Sequence, residues 1–380
     1  MAAGTSRKIS ASSARTHTRK PKAKTPSIFS GIFKKVLFVC LVGFLAWAYQ
    51  AARPPPPKTC GSKDGPPITA PRMQLKDGRY LAYKEYGVSK DDAKFKIVFI
   101  HGFDCCRHDV SAITAHLSPD IVESQGVYIV SFDRPGYGES DPNPAQTVKS
   151  IASDIEELAD QLGLGSKFYV VGFSLGGQIV WACLKYIPHR LAGATLVAPV
   201  VNYWWPGVPS NLSEEAYKQQ LPQDQWALRV VHYMPWLSYW WNTQKLFPGF
   251  SLISRSLKVL SRQDTELLPR ILSTRKDIMA HVRQQGEFES LHRDLAFAFG
   301  SWEFDPTGLR KPFGEGEGSV HLWQGEEDRL VPATVQRYIA LQLPWVHYHE
   351  VAGAGHMLTF ADGIADKIIL ALVAGETPKS

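Results

Sequence analysis

The stretch FYVVGFSLGG, residues 168–177, decides the fold of this chain. Residues 168–171 are apolar and β-prone, which predicts a buried strand, and residues 176–186 have the composition of a helix. Between them stands the G-x-S-x-G motif, with Ser174 flanked by Gly172 and Gly176. In this context the motif predicts a sharp turn, an elbow whose glycines let a strained serine project its hydroxyl. Ser174 is therefore the candidate nucleophile, and a plain glycine turn is the alternative.

Strands alternate with helices on both sides of this elbow. Strands are predicted at 72–75, 80–85, 96–100, 127–132, 168–171, within 191–201, at 320–323 and at 346–351. Helices are predicted at 109–117, 148–162, 176–186, 333–343 and 364–373. Asp77-Gly78 marks a hairpin between the first two strands. The pattern predicts an α/β fold, with a mostly parallel sheet of about eight strands flanked by helices.

The alternation stops between residues 202 and 305, which form a predicted helical insertion. This stretch holds seven of the eleven tryptophans: Trp204, Trp205, Trp226, Trp236, Trp240, Trp241 and Trp302. We interpret it as a lid over the pocket, set between two parts of the α/β core at 67–201 and 306–380. Aromatic walls favour an apolar substrate, although aromatic residues also simply pack lids.

A serine hydroxyl needs a base, and the base needs an acid to hold its tautomer. His356, in Gly353-Ala354-Gly355-His356, follows the last predicted strand and is the candidate base. Of the three acids after strand 320–323, Asp328 is favoured over Glu326 and Glu327, which we interpret as solvated turn charges. The loop after residue 197 offers no acid near Asn202, so the chain order is Ser, Asp, His.

A loop after strand 96–100 supplies the predicted oxyanion hole. There the Phe103 amide is expected to converge with the Leu175 amide on one substrate oxygen. His101 and Gly102 are expected to order this loop. Cys105 and Cys106 are nucleophiles only in principle, because no histidine and acid are placed for them.

Charge and cysteines exclude several classes of protein. The net charge is +6, but residues 1–63 carry 12 Lys/Arg and no acid, and the rest carries 30 basic against 36 acidic residues. A basic nucleic-acid surface on the folded body is therefore not expected. The five cysteines are scattered and show no disulfide or zinc spacing, so we expect neither a metal nor another cofactor.

The first 66 residues divide into three predicted segments. Residues 1–35 form a predicted disordered basic tail, 36–49 an unbroken apolar run, and 50–66 a proline-rich linker. The apolar run is short for a bilayer; counting from Ile28 gives enough residues if Lys34 and Lys35 snorkel. A membrane anchor is favoured, and a cleaved signal, a transit peptide and a packed core helix remain alternatives.

The charge distribution also bears on location. The positive-inside rule would leave the tail in the cytosol and the body in the lumen of the endomembrane system. Chloroplast import or secretion after cleavage are the alternatives. Asn211-Leu212-Ser213 is then a usable glycosylation acceptor, although such tripeptides are common and most are unmodified.

The motifs together resemble the α/β-hydrolase superfamily over residues 68–375. They are His101-Gly102-Phe103, the run DRPGYGES at 133–140, the elbow, Gly325-Glu326-Glu327-Asp328 and Gly353-Ala354-Gly355-His356. With Asn202-Tyr203-Trp204-Trp205-Pro206, the chain is similar to plant membrane-anchored members. The resemblance implies a serine hydrolase that cleaves a carboxylic ester, small or lipid-like. One alternative is another reaction on the same triad: acyl transfer, a lyase reaction or cofactor-free peroxidation. The other is a receptor or scaffold that retains the fold.

Overall fold

An N-terminal helix and a large body form two separate compact units, Met1–Ala51 and Ala52–Ser380. The computed structural model describes Met1, Gly4 and residues 28–314 and 316–374. Most of the predicted basic tail therefore lies outside the described residues. Helix α1 (Ile28–Ala52) is longer than the predicted apolar run, because the residues on either side of the run continue the helix. Its part from Gly31 to Ala52 has a mean hydropathy of 1.9 and no buried residue, enough to cross a membrane or to act as a signal sequence.

The body is built on one eight-stranded sheet, as predicted. The strands are β1 (Arg72–Gln74), β2 (Tyr80–Gly87), β3 (Phe95–Ile100), β4 (Val127–Phe132), β5 (Phe168–Phe173), β6 (Leu191–Val197), β7 (Val320–Gly325) and β8 (Val346–Val351). Their order across the sheet is β1-β2-β4-β3-β5-β6-β7-β8. Pairs β1/β2 and β2/β4 are antiparallel, and all other pairs are parallel.

The central strands are apolar on both sides because helices cover both faces of the sheet. All six residues of β4 and of β7 are buried. One apolar cluster packs α4 (Val148–Gln161), α5 (Leu175–Tyr186) and α12 (Ala333–Gln342) on one face, and a second packs α13 (Ile364–Ala374) on the other. Burial on both faces is what continuous apolar strands in a parallel sheet predict.

Two short elements depart from the predicted helix at 109–117. The chain forms a 3-10 turn (Arg107–Val110), then α2 (Ser111–Thr114) and α3 (Pro119–Gln125). Helix α3 was missed because none of its side chains is buried, so it has no apolar stripe. Gly126 ends it with a φ of 65°, a left-handed conformation that glycine adopts readily.

Between β6 and β7 the described chain contains helices and irregular segments but no strand. The helices are α6 (Ser210–Lys218), α7 (Pro222–Tyr233), α8 (Ser238–Thr243), α9 (Arg262–Arg275), α10 (Met279–Val282), a π-helical turn (Phe288–His292) and α11 (Arg293–Phe299). We call residues 202–305 the insertion. Part of the predicted linker lies against it, since the Lys58 amide donates to the Gln285 carbonyl at 2.9 Å and Cys60 is buried.

The strand order locates the functional edge of the sheet. The chain runs from β3 outward to β4 and then returns to place β5 on the other side of β3. In open α/β sheets, ligands bind outside the carboxyl ends of the strands where the order reverses in this way. Here those ends are Ile100 of β3 and Phe173 of β5, which precede the predicted oxyanion loop and the elbow.

Candidate active site

Ser174 sits on a strained turn between β5 and α5. Its φ is 56° and its ψ is −117°, a backbone conformation that non-glycine residues rarely adopt. The flanking glycines are needed for space: a Cβ on Gly172 would lie 2.2 Å from the Gly176 carbonyl oxygen, and one on Gly176 would lie 2.0 Å from that of Ile100. Packing of the helix start against β3 therefore forces the turn that presents the Ser174 side chain.

The structure brings Ser174, His356 and Asp328 together from three different loops. His356 Nε2 lies 2.9 Å from Ser174 Oγ, and His356 Nδ1 lies 2.8 Å from Asp328 Oδ2. All three residues are buried. Since the carboxylate can only accept, the Nδ1 proton faces Asp328 and the bare Nε2 faces the serine hydroxyl, which is the arrangement of a general base.

Asp328 is held by four donors in addition to its position after β7. Its Oδ1 accepts from the Leu330 and Val331 amides, both at 2.9 Å, and its Oδ2 accepts from Gln324 Nε2 at 3.0 Å and from His356. The neighbouring Glu326 and Glu327 are exposed. Only Asp328 of the three acids therefore reaches the histidine.

The electrostatics of the site favour the protonated form of His356. Burial lowers the pKa of His356, but the charge and hydrogen bond of Asp328 and the charge of Asp264 outweigh it, so its pKa lies above the usual 6.5. The two carboxylates thus stabilise the protonated form of His356.

The predicted oxyanion loop packs directly on the elbow. A Cβ on Gly102 would lie 3.1 Å from Ser174 Cβ, so the glycine permits this close approach. Within the described residues the Phe103 and Leu175 amides donate to no other group. Leu175 opens α5, where the first N–H groups have no partner in the helix and the dipole is positive. Two free donors beside the serine suit a developing oxyanion.

His101 is a structural residue in this geometry. It is fully buried, with Nδ1 2.9 Å from the Gly102 carbonyl oxygen and Nε2 3.0 Å from the Arg134 amide nitrogen. Burial and the Arg134 charge hold its pKa well below 6.5. His101 is therefore neutral, and both of its nitrogens are used to hold the loop that carries Phe103.

The sequence did not single out two carboxylates of the insertion that bind the site loops. Asp264, in the first turn of α9, accepts from the His356 amide at 3.1 Å and the Met357 amide at 2.8 Å. Asp294, at the start of α11, binds both terminal nitrogens of Arg134 at 2.5 and 2.6 Å. Arg134 in turn donates to the Gly102 carbonyl at 2.9 Å. Each carboxylate thus fixes one side of the site.

Charged side chains from the insertion also hold the residue after Phe103. Asp104 has a positive φ of 55°, and its carboxylate pairs with Arg283 at 2.7 Å and Arg255 at 3.2 Å. Arg275 donates to the Asp104 carbonyl at 2.7 Å. These bonds stabilise a strained backbone next to the oxyanion loop.

Two cavities meet at the serine. The smaller has a volume of about 50 Å³ and is walled by Tyr203, Leu228, Phe250, Leu295 and Phe299. The larger has a volume of about 200 Å³ and is walled mainly by Leu257, Leu260, Leu268, Ile271 and Leu272. Both contain Ser174, His356 and Phe103. The serine is therefore open to two separate, largely apolar cavities.

A match to a family model identifies the fold. Residues 97–362 match the model described as alpha/beta hydrolase fold, which is more than half of the chain. The chain belongs to the α/β-hydrolase family. The elbow and the site described above fall within the matched residues, as do all strands except β1, β2 and the first two residues of β3.

The relatives of this α/β-hydrolase span several chemistries. It is 28% identical over 310 residues, 81% of this chain and 70% of the relative, to the dihydrolipoyllysine-residue acetyltransferase component of the acetoin cleaving system of Cupriavidus necator. It is 27% identical over 132 residues, 34% of this chain and 47% of the relative, to a pimeloyl-[acyl-carrier protein] methyl ester esterase of Sodalis glossinidius. A thermophilic esterase from Thermogutta terrifontis shares the fold with a TM-score of 0.51, 20% identity and coverage of 77% and 93% of the two chains. The resemblance to plant members stays a prediction.

The remaining candidate groups of this α/β-hydrolase are inert in the described residues. Cys105 and Cys106 are buried, and burial raises the pKa of both thiols, so neither is an available thiolate. Among the described residues no group of three or more His, Cys, Asp or Glu side chains is arranged to hold a metal ion. The reactive groups that the structure brings together are Ser174 and its neighbours.

Proposed function

We propose that this chain is a serine hydrolase that cleaves carboxylic esters of apolar small molecules or lipids through an acyl-enzyme. The observation that carries the proposal is the 2.9 Å contact of Ser174 Oγ with a histidine nitrogen whose partner nitrogen is bound to a carboxylate. In this proposal Ser174, His356 and Asp328 are nucleophile, general base and orienting acid.

The proposed reaction has two steps. Ser174 attacks the ester carbonyl while His356 takes its proton, and the Phe103 and Leu175 amides bind the oxyanion. The imidazolium then gives its proton to the leaving alcohol, and the acyl group stays on the serine. In the second step His356 activates a water that releases the acid and restores the serine.

The two cavities support an ester with unequal arms. We assign the shorter substituent to the cavity of about 50 Å³ and the longer one to the cleft of about 200 Å³. Their apolar walls favour uncharged substituents, because burying an unpaired charge there would be costly. A panel of p-nitrophenyl esters of graded acyl length measures this assignment, and an equal rate for all lengths would contradict it.

Labelling by a fluorophosphonate probe tests the nucleophile. Wild-type protein is expected to be labelled, and Ser174→Ala is expected to lose labelling and nearly all ester hydrolysis, since loss of the serine costs orders of magnitude in kcat. Ser153→Ala, an exposed serine on α4, is the matched control and is expected to be labelled like the wild type. A folded wild-type protein that resists the probe would contradict the proposal and favour a receptor or scaffold.

Acyl transfer to an alcohol is the second candidate, because the relative from Cupriavidus necator is named an acetyltransferase component. Both reactions share the acyl-enzyme and differ only in what attacks it. Adding methanol to the ester assay separates them. Free acid as the main product supports hydrolysis, whereas a methyl ester as the main product would support transfer.

We also propose that α1 anchors the protein in an endomembrane, with the body in the lumen. Its length, its hydropathy of 1.9 and the basic residues before it support this topology. The full-length chain is expected to resist alkaline carbonate extraction. If Asn211, which is exposed on α6, is modified, a glycosidase will shift its mobility. Release of full-length protein by carbonate would exclude the anchor.

A further inference from the structure

The insertion concentrates the exposed apolar side chains of the body. Large hydrophobic side chains that are exposed in the insertion are Trp226, Tyr233, Met234, Trp236, Leu246, Phe247, Leu257 and Leu272. In the rest of the described body there are only four: Ile68, Tyr80, Leu341 and Leu370. Scattered single residues need no explanation, but a concentration of this kind marks an interaction surface.

Five of these residues lie in two turns at the ends of α8. Residues 233–236 and 245–248 are all exposed, and Trp236 and Leu246 keep 69% and 82% of their accessible surface. Half-buried Trp241 packs on Phe247 with ring centroids 4.6 Å apart, so the second turn is fixed on the helix. We call Tyr233, Met234, Trp236, Leu246 and Phe247 the aromatic surface.

The chain around the aromatic surface is positively charged, unlike the body as a whole. Residues 225–263 contain no Asp or Glu and five basic residues: Arg229, Lys245, Arg255, Lys258 and Arg262. Lys245 and Lys258 are exposed, and neither makes an ion pair within the described residues. From residue 64 onward the chain otherwise has an excess of acidic over basic residues. Arg255 and Arg262 pair with Asp104 and Glu266, so the positive charge left unpaired in this stretch of the described chain is that of Arg229, Lys245 and Lys258, of which Lys245 lies beside Leu246.

We propose that the aromatic surface docks the body onto a lipid bilayer that carries anionic headgroups. Tryptophan and tyrosine prefer the membrane interface, because their rings are apolar and their N–H or O–H groups stay hydrated. Each Lys or Arg near an anionic surface adds about 1 kcal/mol of attraction. For a body in the lumen, this attraction requires anionic lipid in the luminal leaflet. A second copy of the chain is a poor occupant, since the same positive charges on both copies would repel. The apolar helix α1, which is followed by a short proline-rich segment, independently favours attachment of the chain to a membrane.

Docking would bring a bilayer near the smaller cavity. Three residues after Phe247 the chain turns inward, and Phe250, Ser251 and Leu252 line the cavity that contains Ser174. An apolar ester dissolved in the membrane would then have a short path to the site. This consequence rests on the proposed function, whereas the docking itself does not.

Quenching by brominated lipids tests the docking on the full-length chain. The background is Cys40→Ala, because the other four cysteines are buried and unreactive. In this background, an environment-sensitive fluorophore is attached at Leu246→Cys or, as the control, at Leu341→Cys. Leu341 is 79% exposed on α12, in the hydrolase core. Both proteins are reconstituted in phosphatidylcholine vesicles with and without phosphatidylserine, and the lipid chains are brominated.

We expect the probe at 246 to be quenched at least several-fold more than the probe at 341, and more in the vesicles that contain phosphatidylserine. The pair Lys245→Glu and Lys258→Glu is expected to weaken the quenching at 246. Equal quenching at both sites, no quenching at 246, or loss of quenching on dilution of the protein would overturn the proposal, the last by favouring self-association. Insensitivity to phosphatidylserine and to the charge reversals would overturn the anionic requirement. None of these measurements requires catalytic turnover, so they test the docking proposal independently of the proposed hydrolysis.

Discussion

The sheet and the insertion are specified by different kinds of residue. In the sheet, β4 and β7 are buried along their whole length by continuous apolar packing. In the insertion, three carboxylates are at least 98% buried: Asp224, Asp264 and Asp294. Burying a carboxylate is costly unless donors or a cation compensate it. Each of the three has such partners, so the insertion adds a few directed bonds to the apolar packing that it shares with the sheet.

The difference matters because two of those carboxylates bind loops of the sheet rather than the insertion itself. Asp264 binds the loop of His356, and Asp294 binds Arg134, which holds the loop of Phe103. Asp224, by contrast, accepts from the Ser251 amide at 2.7 Å and stays within the insertion. These two carboxylates tie the insertion to the site, in addition to the arginines that hold Asp104, and they are where the comparison with the sheet can be tested.

The largest expected effect follows removal of Asp294. Asp294→Leu leaves the fully buried Arg134 guanidinium without its carboxylate, and an uncompensated buried charge costs roughly 3–5 kcal/mol in the free energy of unfolding. Tyr137 Oη, 2.5 Å from Asp294, also loses its acceptor. Urea unfolding of the detergent-solubilised chain measures the change.

Two further variants show whether the cost belongs to the unpaired charge. The double variant Arg134→Met with Asp294→Leu removes both charges and is expected to be clearly more stable than Asp294→Leu alone. Arg337→Met breaks an exposed pair with Glu350 on the sheet side and is expected to cost no more than about 1 kcal/mol. If Asp294→Leu cost as little as Arg337→Met, the insertion would not be held by its buried carboxylates.

A second, smaller effect is expected at Asp264, a positioning residue for His356. Its charge raises the pKa of His356, and kcat/KM falls as the pH drops below that pKa because the base becomes protonated. Asp264→Asn removes the charge, so the acid limb of the pH profile of kcat/KM should move to lower pH. Looser placement of the His356 loop should also lower the plateau of kcat/KM by roughly 10- to 100-fold.

The shift of the acid limb is what separates positioning from a general loss of structure. A merely destabilised enzyme would lose activity at every pH without moving the limb. Glu266→Gln is the matched control, since Glu266 lies on the same helix but is exposed and pairs with Arg262. A limb that stays in place in Asp264→Asn, or that moves equally in Glu266→Gln, would contradict the assignment.

The same contrast explains what the sequence could predict. The eight strands were predicted because apolar runs report burial directly, and Ser174, Asp328 and His356 were singled out as candidates because each follows a predicted strand at its carboxyl end. Asp264 and Asp294 were missed because they lie on helices of the insertion, 92 residues before His356 and 160 after Arg134. Periodicity reports which face of a helix is apolar, but not which carboxylate will be buried against a distant amide.

The smallest expected effect compares the caps of two helices. Thr147 caps α4 in the core by accepting from the Ser150 amide at 3.0 Å, and Ser261 caps α9 in the insertion by accepting from the Asp264 amide at 3.1 Å. Replacing either by Ala should cost about 1 kcal/mol of stability. Only Ser261→Ala should also lower kcat/KM, because the Ser261 hydroxyl that it removes accepts from the Asp264 amide and so fixes the backbone of the residue whose carboxylate holds the His356 loop. If the two variants were equally destabilised and Thr147→Ala lowered kcat/KM as much as Ser261→Ala, activity would follow stability alone. The cap in the insertion would then have no specific effect on the site.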